Sequence, residues 1–175
     1  VLVYGYVEWG RELPKKLVGM FSFAIVDERN HSLFAARDRM GQKPFHYTRV
    51  DDQFLFGSEI KSILVDERVS RAMDRDALGQ YLVLSYVSDA KTILDAIHKL
   101  PHASTLRIRG GQVRIEEYWS TDLLVEGADN GITDLVEQQA ELLGHLGSAV
   151  EGRLMGDVPL GAFLSGGVDS FAVVD

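Results

Sequence analysis

Two rhythms of apolar residues meet in this chain, at the polar, glycine-containing stretch STDLLVEGADNG, residues 120–131. Upstream, short apolar runs are separated by polar turns, the pattern of antiparallel hairpins. Downstream, Leu135, Leu142, Leu146, Ala149, Val150 and Leu154 recur at helical spacing, and Val158–Leu164 follows as a short apolar run. Hairpins followed by helix, strand, loop and helix fit neither a single sheet nor a single bundle. The reading is of two units, residues 1–119 and 132–175, joined by a linker over 120–131.

Within the first unit, residues 1–9 read as helix with Gly10 as its stop, and Leu13-Pro14 opens a further turn. Residues 19–27 and 33–37 form a hairpin around Glu28–His31, apolar on both faces and so expected to be covered on both sides. A second hairpin runs over 44–50, turns at Asp51-Asp52 and returns over 53–56. Ser58 is placed to cap a short helix over 59–64, and Asp74 with Asp76 starts another. Leu106-Arg107-Ile108-Arg109 and Val113-Arg114-Ile115 alternate apolar and charged across Gly110-Gly111, a pair suited to a two-residue turn with positive φ. Phe21, Phe23, Phe34, Phe45, Phe54 and Phe56 are expected in the core. In the second unit Thr133 is the expected helix N-cap, Gly156 its end, and 158–164 a strand that tolerates Pro159 only near its start.

Composition removes several function classes. A formal net charge of −8 argues against the basic footprint of a nucleic-acid partner. No run approaches the ~18 apolar residues of a membrane helix. The absence of cysteine excludes disulfides, thiolate zinc sites and a cysteine nucleophile among these residues. A cytoplasmic address is the default expectation. The chain starts at Val1, and Val1–Val7 reads as the middle of an apolar element, so an internal segment of a longer protein is expected.

The most chemically specific string is GAFLSGGVDS, residues 161–170. A parallel strand ending in a glycine-rich loop that opens a helix gathers backbone N–H groups around an anion. Gly166 and Gly167 remove side chains that would block phosphate oxygens, Ser165 and Ser170 offer hydroxyls, and Asp169 offers a carboxylate to Mg²⁺. Gly161 and Gly166 have the glycine spacing of a Walker A loop, but Gly167 and Val168 stand at its Lys and Ser/Thr positions. A kinase-type P-loop is therefore disfavoured. The bland alternative is a Gly-Gly turn with a serine cap and no ligand.

Ser165-Gly166-Gly167-Val168-Asp169-Ser170 resembles the S-G-G-x-D-S loop of the ATP pyrophosphatases, the PP-loop enzymes. GMFSFAIVD (19–27), LFAARDRMGQKPFHY (33–47) and FGSEIKSIL (56–64) resemble the later part of a class II glutamine amidotransferase domain. With KLPHASTLRIRGGQVRIEEYW (99–119) and DVPLGAFLSGGVDS (157–170), the series is similar to the glutamine-hydrolysing asparagine synthetase family. The resemblance implies an α+β N-terminal-nucleophile domain, here its C-terminal part, followed by the start of an α/β PP-loop domain of the adenine nucleotide alpha hydrolase-like type. It implies glutamine, aspartate and ATP as small-molecule substrates, with ATP and Mg²⁺ as cofactors. Ammonia from glutamine would attack a β-aspartyl-adenylate, and pyrophosphate would leave.

Carried over by residue, Leu164, Ser165, Gly166, Gly167, Asp169 and Ser170 would bind ATP and its pyrophosphate, with Asp169 the Mg²⁺ ligand. Phe171 and Asp175 depart from the family pattern, which has a small polar and a small apolar residue there. The family's cysteine nucleophile and glutamine-binding stretches would lie upstream of Val1, and a homodimer is the expectation for the full-length parent. Rival readings are a β-lactam synthetase or polysaccharide-associated amidotransferase on the same plan, and a truncated, non-catalytic segment. Arg37-Asp38-Arg39 reads as a charged strand end leading into the Gly41/Pro44 turn, rather than as part of a glutaminase floor. Glu59 and Lys61 suit a capped surface helix or a domain interface equally. Pro101 breaks any helix that would align His98 and His102 on a metal.

Overall fold

The computed structural model describes residues 1–88, 90–122 and 134–174, and the chain divides into two compact units, Val1–Leu123 and Leu124–Asp175. The first unit is α+β with two antiparallel sheets. Its strands are β1 (Ser22–Asp27), β2 (Ser32–Arg37), β3 (His46–Val50), β4 (Gln53–Gly57), β5 (His98–Lys99), β6 (Ser104–Arg109) and β7 (Gln112–Glu117). One sheet has the order β1-β2-β6-β7 and the other β4-β3-β5. The three hairpins predicted from the sequence all form, with Gly110 at φ 56° and Gly111 at φ 75° in the last turn. The two-residue strand β5 carries no periodicity and has no counterpart in the sequence reading.

The sheets are held together by side chains from both. Ala35 and Leu106 of the first sheet, each fully buried, meet Phe45 and Leu100, with Tyr47 and Phe54 of the second packed alongside. Alternation then turns Thr48, Val50 and Leu55 to the opposite side of the second sheet. There Ile63, Val69 and Ile97 form a second core with Val50 and Leu55 against it. Thr48 is buried because its hydroxyl donates to the Ala96 carbonyl at 2.6 Å.

Helices cover the remaining faces. These are α1 (Leu2–Trp9), a 3₁₀ turn (Gly10–Glu12), α2 (Leu13–Lys16), α3 (Ile60–Ile63) and α4 (Arg75–Leu84). Tyr6 of α1 stacks on Phe34 at 5.2 Å, which buries the outer side of β2, so β2 is covered on both faces as its sequence suggested. β1 is only half-buried along its length. Asp74 caps α4, accepting from the Asp76 and Ala77 amides, and its other oxygen accepts a hydrogen bond from the Lys91 ammonium at 2.9 Å. Phe34 and Phe45 are core as expected, but Phe56 is 42% exposed, since it lies near the end of an edge strand.

Three boundary expectations give way. Glu59, not Ser58, is the N-cap residue of α3, and no side chain caps that helix; the Ser58 carbonyl instead accepts from or faces His46 Nδ1 at 3.0 Å. In the second unit α5 (Leu135–Glu151) is capped by Asp134, which accepts from the Val136 amide, and ends at Gly152 rather than Gly156. The Asp134 carboxylate reaches that orphan N–H; Thr133, the predicted cap, lies outside the described residues, as does the predicted linker from residue 123 on. Residues 158–164 form no strand: a parallel strand exists only beside neighbours, and the described part of this unit contains none. A final helix, α6, spans Val168–Val174.

Candidate functional site

The Ser165–Ser170 segment is a glycine turn closed on itself by two hydroxyls. Gly166 has φ 78°, a backbone state that a side chain would strain, and a Cβ there would meet nothing within 4 Å. The Ser165 and Ser170 hydroxyls lie 2.9 Å apart, and Ser170 Oγ also donates to the Gly167 carbonyl at 2.9 Å. The Gly167 amide donates weakly to Ser165 Oγ at 3.4 Å, and the Phe171 amide donates to the Gly167 carbonyl as α6 begins. Ser165, Gly167 and Ser170 are thus brought together. Leu164 is 60% exposed, outside this hydrogen-bond cluster. Phe171 is 61% exposed.

Asp169 sits in the first turn of α6 and, among the described residues, has no hydrogen-bond or ion-pair partner. No group of three or more His, Cys, Asp or Glu side chains among the described residues is arranged to hold a metal unaided. One free carboxylate beside a bare turn nevertheless suits Mg²⁺, which binds through one or two carboxylates and completes its shell with phosphate oxygens and water. The residues therefore fit the ion only in company with a phosphate ligand.

The second motif, Arg37-Asp38-Arg39, is a structural junction. Asp38 is 1% exposed and accepts from the amides of Met40, Gln42 and Lys43 at 2.9–3.2 Å. Arg37, also buried, donates to the carbonyls of Lys43, Gly41 and Leu100 at 2.6–2.9 Å. Arg39 donates to the Leu17 and Lys15 carbonyls, which ties α2 to the same corner. The turn reading of this motif is thereby explained: its charges satisfy backbone groups where four chain segments converge. Tyr118 completes it by donating its hydroxyl to the Arg37 carbonyl at 3.0 Å from 81 residues away, a contact with no signal in the sequence. Burial pushes the Tyr118 phenol up to about 12, with Arg39 opposing and Asp38 adding to the shift.

Other titratable groups are local. Burial holds His46 below the ordinary histidine value; the Ser58 carbonyl opposes this, and the charges of Lys99 and Arg37 add to it. Glu59 pairs with Lys61 at 2.7 Å on the surface. His98 packs its ring on Tyr47 at 5.6 Å.

Two family profiles match this chain. A family profile described as "Glutamine amidotransferase domain" matches residues 1–119, and one described as "Asparagine synthase" matches residues 141–175. A glutamine-hydrolysing asparagine synthetase of Bacillus subtilis is 37% identical over 174 residues, 99% of this chain and 28% of that relative. Another from the same organism is 33% identical, over 99% of this chain and 27% of the relative. An amidase of Gibberella zeae is 32% identical, again over 99% of this chain and 25% of the relative. The chain thus spans about a quarter of the length of the curated relatives it matches.

Proposed function

This chain belongs to the glutamine amidotransferase domain family, and we propose that it serves a glutamine-dependent asparagine synthetase that uses ATP. On this reading, residues 1–119 are the C-terminal part of an N-terminal-nucleophile domain, 120–131 a linker, and 132–175 the start of a PP-loop domain. The observation that carries it is the bare Gly166–Gly167 turn, flanked by facing Ser165 and Ser170 hydroxyls and by the unpaired Asp169 carboxylate. The asparagine synthase match over residues 141–175 supports the same assignment.

An oxygen of the aspartate β-carboxylate attacks the α-phosphorus of ATP, the bond to the β-phosphate oxygen breaks, and pyrophosphate leaves with the electron pair. Ammonia, released from glutamine as water replaces it, attacks the acyl carbon of the β-aspartyl-adenylate; AMP leaves and the nitrogen gives up a proton. Ser165 and Ser170 donate to the departing phosphate oxygens, and Gly166 and Gly167 let those oxygens reach the backbone. Leu164 would border the adenine side, and Asp169 would hold Mg²⁺. The ion, when bound, neutralises charge on the phosphates. The substrates are small molecules, a cytoplasmic location suits them, and no described helix is long and apolar enough to cross a membrane.

The amidase relative favours a second reading, in which the same machinery serves another acceptor such as a β-lactam precursor or a polysaccharide. Asp169→Asn in the full-length enzyme tests the first. ATP-dependent synthesis should be lost while glutamine hydrolysis persists, and equal loss of both would overturn the division of labour. Aspartate-dependent pyrophosphate release by the unaltered enzyme separates the two acceptor readings.

A further inference from the structure

The outer face of the first sheet carries an arrangement that the amidotransfer reaction does not use. Directly opposed residues of an antiparallel pair share a face. Phe34, Arg107 and Arg114 therefore form one row across β2, β6 and β7, and Ser32, Arg109 and Gln112 form the next. α1 covers the Phe34 end of this face through Tyr6. Beyond it, Arg107, Arg109, Gln112 and Arg114 line a cavity of about 170 Å³.

Three arginines converge there in a chain whose formal net charge is −8. Among the described residues none of the three guanidinium groups has a hydrogen-bond or ion-pair partner. Glu116, beside Arg107 and Arg114 on that face, pairs with Arg11 at 3.9 Å. Like charges directly opposed in a sheet are destabilising, and a solvated face is ordinarily laced with both signs. Arg107 and Arg114 are such a pair. Guanidinium forks match phosphate oxygens in pairs, and Gln112 adds a neutral donor. The volume, set against ~30 Å³ for a water, suits one or two phosphate groups rather than a polypeptide.

We propose that Arg107, Arg109, Arg114 and Gln112 form a binding site for a small, multiply charged phosphate anion on the outer face of the β6–β7 hairpin. The site is independent of the Ser165–Ser170 turn, and its test must keep the two apart.

Calorimetric titration of the 175-residue chain with pyrophosphate and with inorganic phosphate, at low salt and with EDTA present, provides that test. Expected is saturable binding of one pyrophosphate, tighter than phosphate. The double variant Arg107→Gln/Arg114→Gln should weaken pyrophosphate binding at least tenfold. Arg75→Gln, on α4, should leave it unchanged, and Ser165→Ala/Ser170→Ala serves to reveal binding at the Ser165–Ser170 turn instead. Without ligand the double variant should melt at or above the unaltered chain, because a like-charge pair has been removed. Should it fail to fold, Arg109→Gln at the hairpin tip provides the same reading through a severalfold loss. The proposal is overturned by no saturable binding, by loss in the serine variant alone, by equal loss in Arg75→Gln, or by binding of a polyglutamate peptide in place of phosphate.

Discussion

Asp38 accepts three backbone amides at once, and nothing but a carboxylate of that length serves all three. Asp38→Ala leaves buried donors without partners, each costing ~1–3 kcal/mol, so a loss of about 3 kcal/mol or more is expected in denaturant unfolding. Asp38→Asn should cost less, because one oxygen remains and only the Lys43 amide then faces an NH₂ group. His46 gives a pH signature of opposite chemistry. Its folded-state pKa is depressed, so below the ordinary value near ~6.5 the unfolded chain takes up the proton more readily. Stability therefore falls as pH drops through that value towards the folded one, and thermal melts from about pH 7 to 5 should steepen in the unaltered chain relative to His46→Gln. Both residues look unremarkable as letters. The motif reading located Asp38 at a turn, but the three amides and the reach of Tyr118 are set by chain closure over long separations, which local pattern does not encode.

Among elements, the β6–β7 hairpin is the one in which every local signal agrees, and it forms where expected. Its glycines occupy positive φ with open space around them, so Gly110→Ala and Gly111→Ala should each lower stability through backbone strain alone, by ~1 kcal/mol. Leu106, opposite Ala35 and fully buried, belongs to the core that joins the sheets; Leu106→Ala should cost ~2–5 kcal/mol, measurable by the same unfolding assay. The α4 cap depends on Asp74 being ionised: the hydrogen bond it accepts from the Ala77 amide and its contact with Lys91 hold the carboxyl below its ordinary value. That contribution is present above the unfolded value near ~3.9 and lost as pH falls through the folded one, a lower window than that of His46. The apolar run at 158–164 forms no strand for a reason of scale. A strand is a property of a ladder, and an apolar seven-residue run specifies burial or pairing only when partners are supplied.

At the scale of the whole molecule the two units differ in how they are held. Both buried clusters belong to the first unit, whereas α5 and α6 have no buried residue among those described. Calorimetry of the chain should show a main transition that Leu106→Ala lowers and Leu142→Ala leaves in place. A shift of that transition by Leu142→Ala would mean that the second unit contributes to the cooperative core. The order of hairpins, the change of period and the glycine turn were readable from the sequence because each is local. The pairing of β2 with β6, the two-sided second sheet and the Arg37–Asp38 junction were not, since they join segments far apart in the chain. Tyr118 deserves a mechanical description. Its amide donates to the Ala103 carbonyl and its hydroxyl to the Arg37 carbonyl, one residue past the end of β7. Tension arriving from the second unit would otherwise peel β7 from β6 one pair at a time, beginning at Glu117. The tyrosine acts as a strain relief on a cable, loading the buried junction before the zipper of the sheet can open.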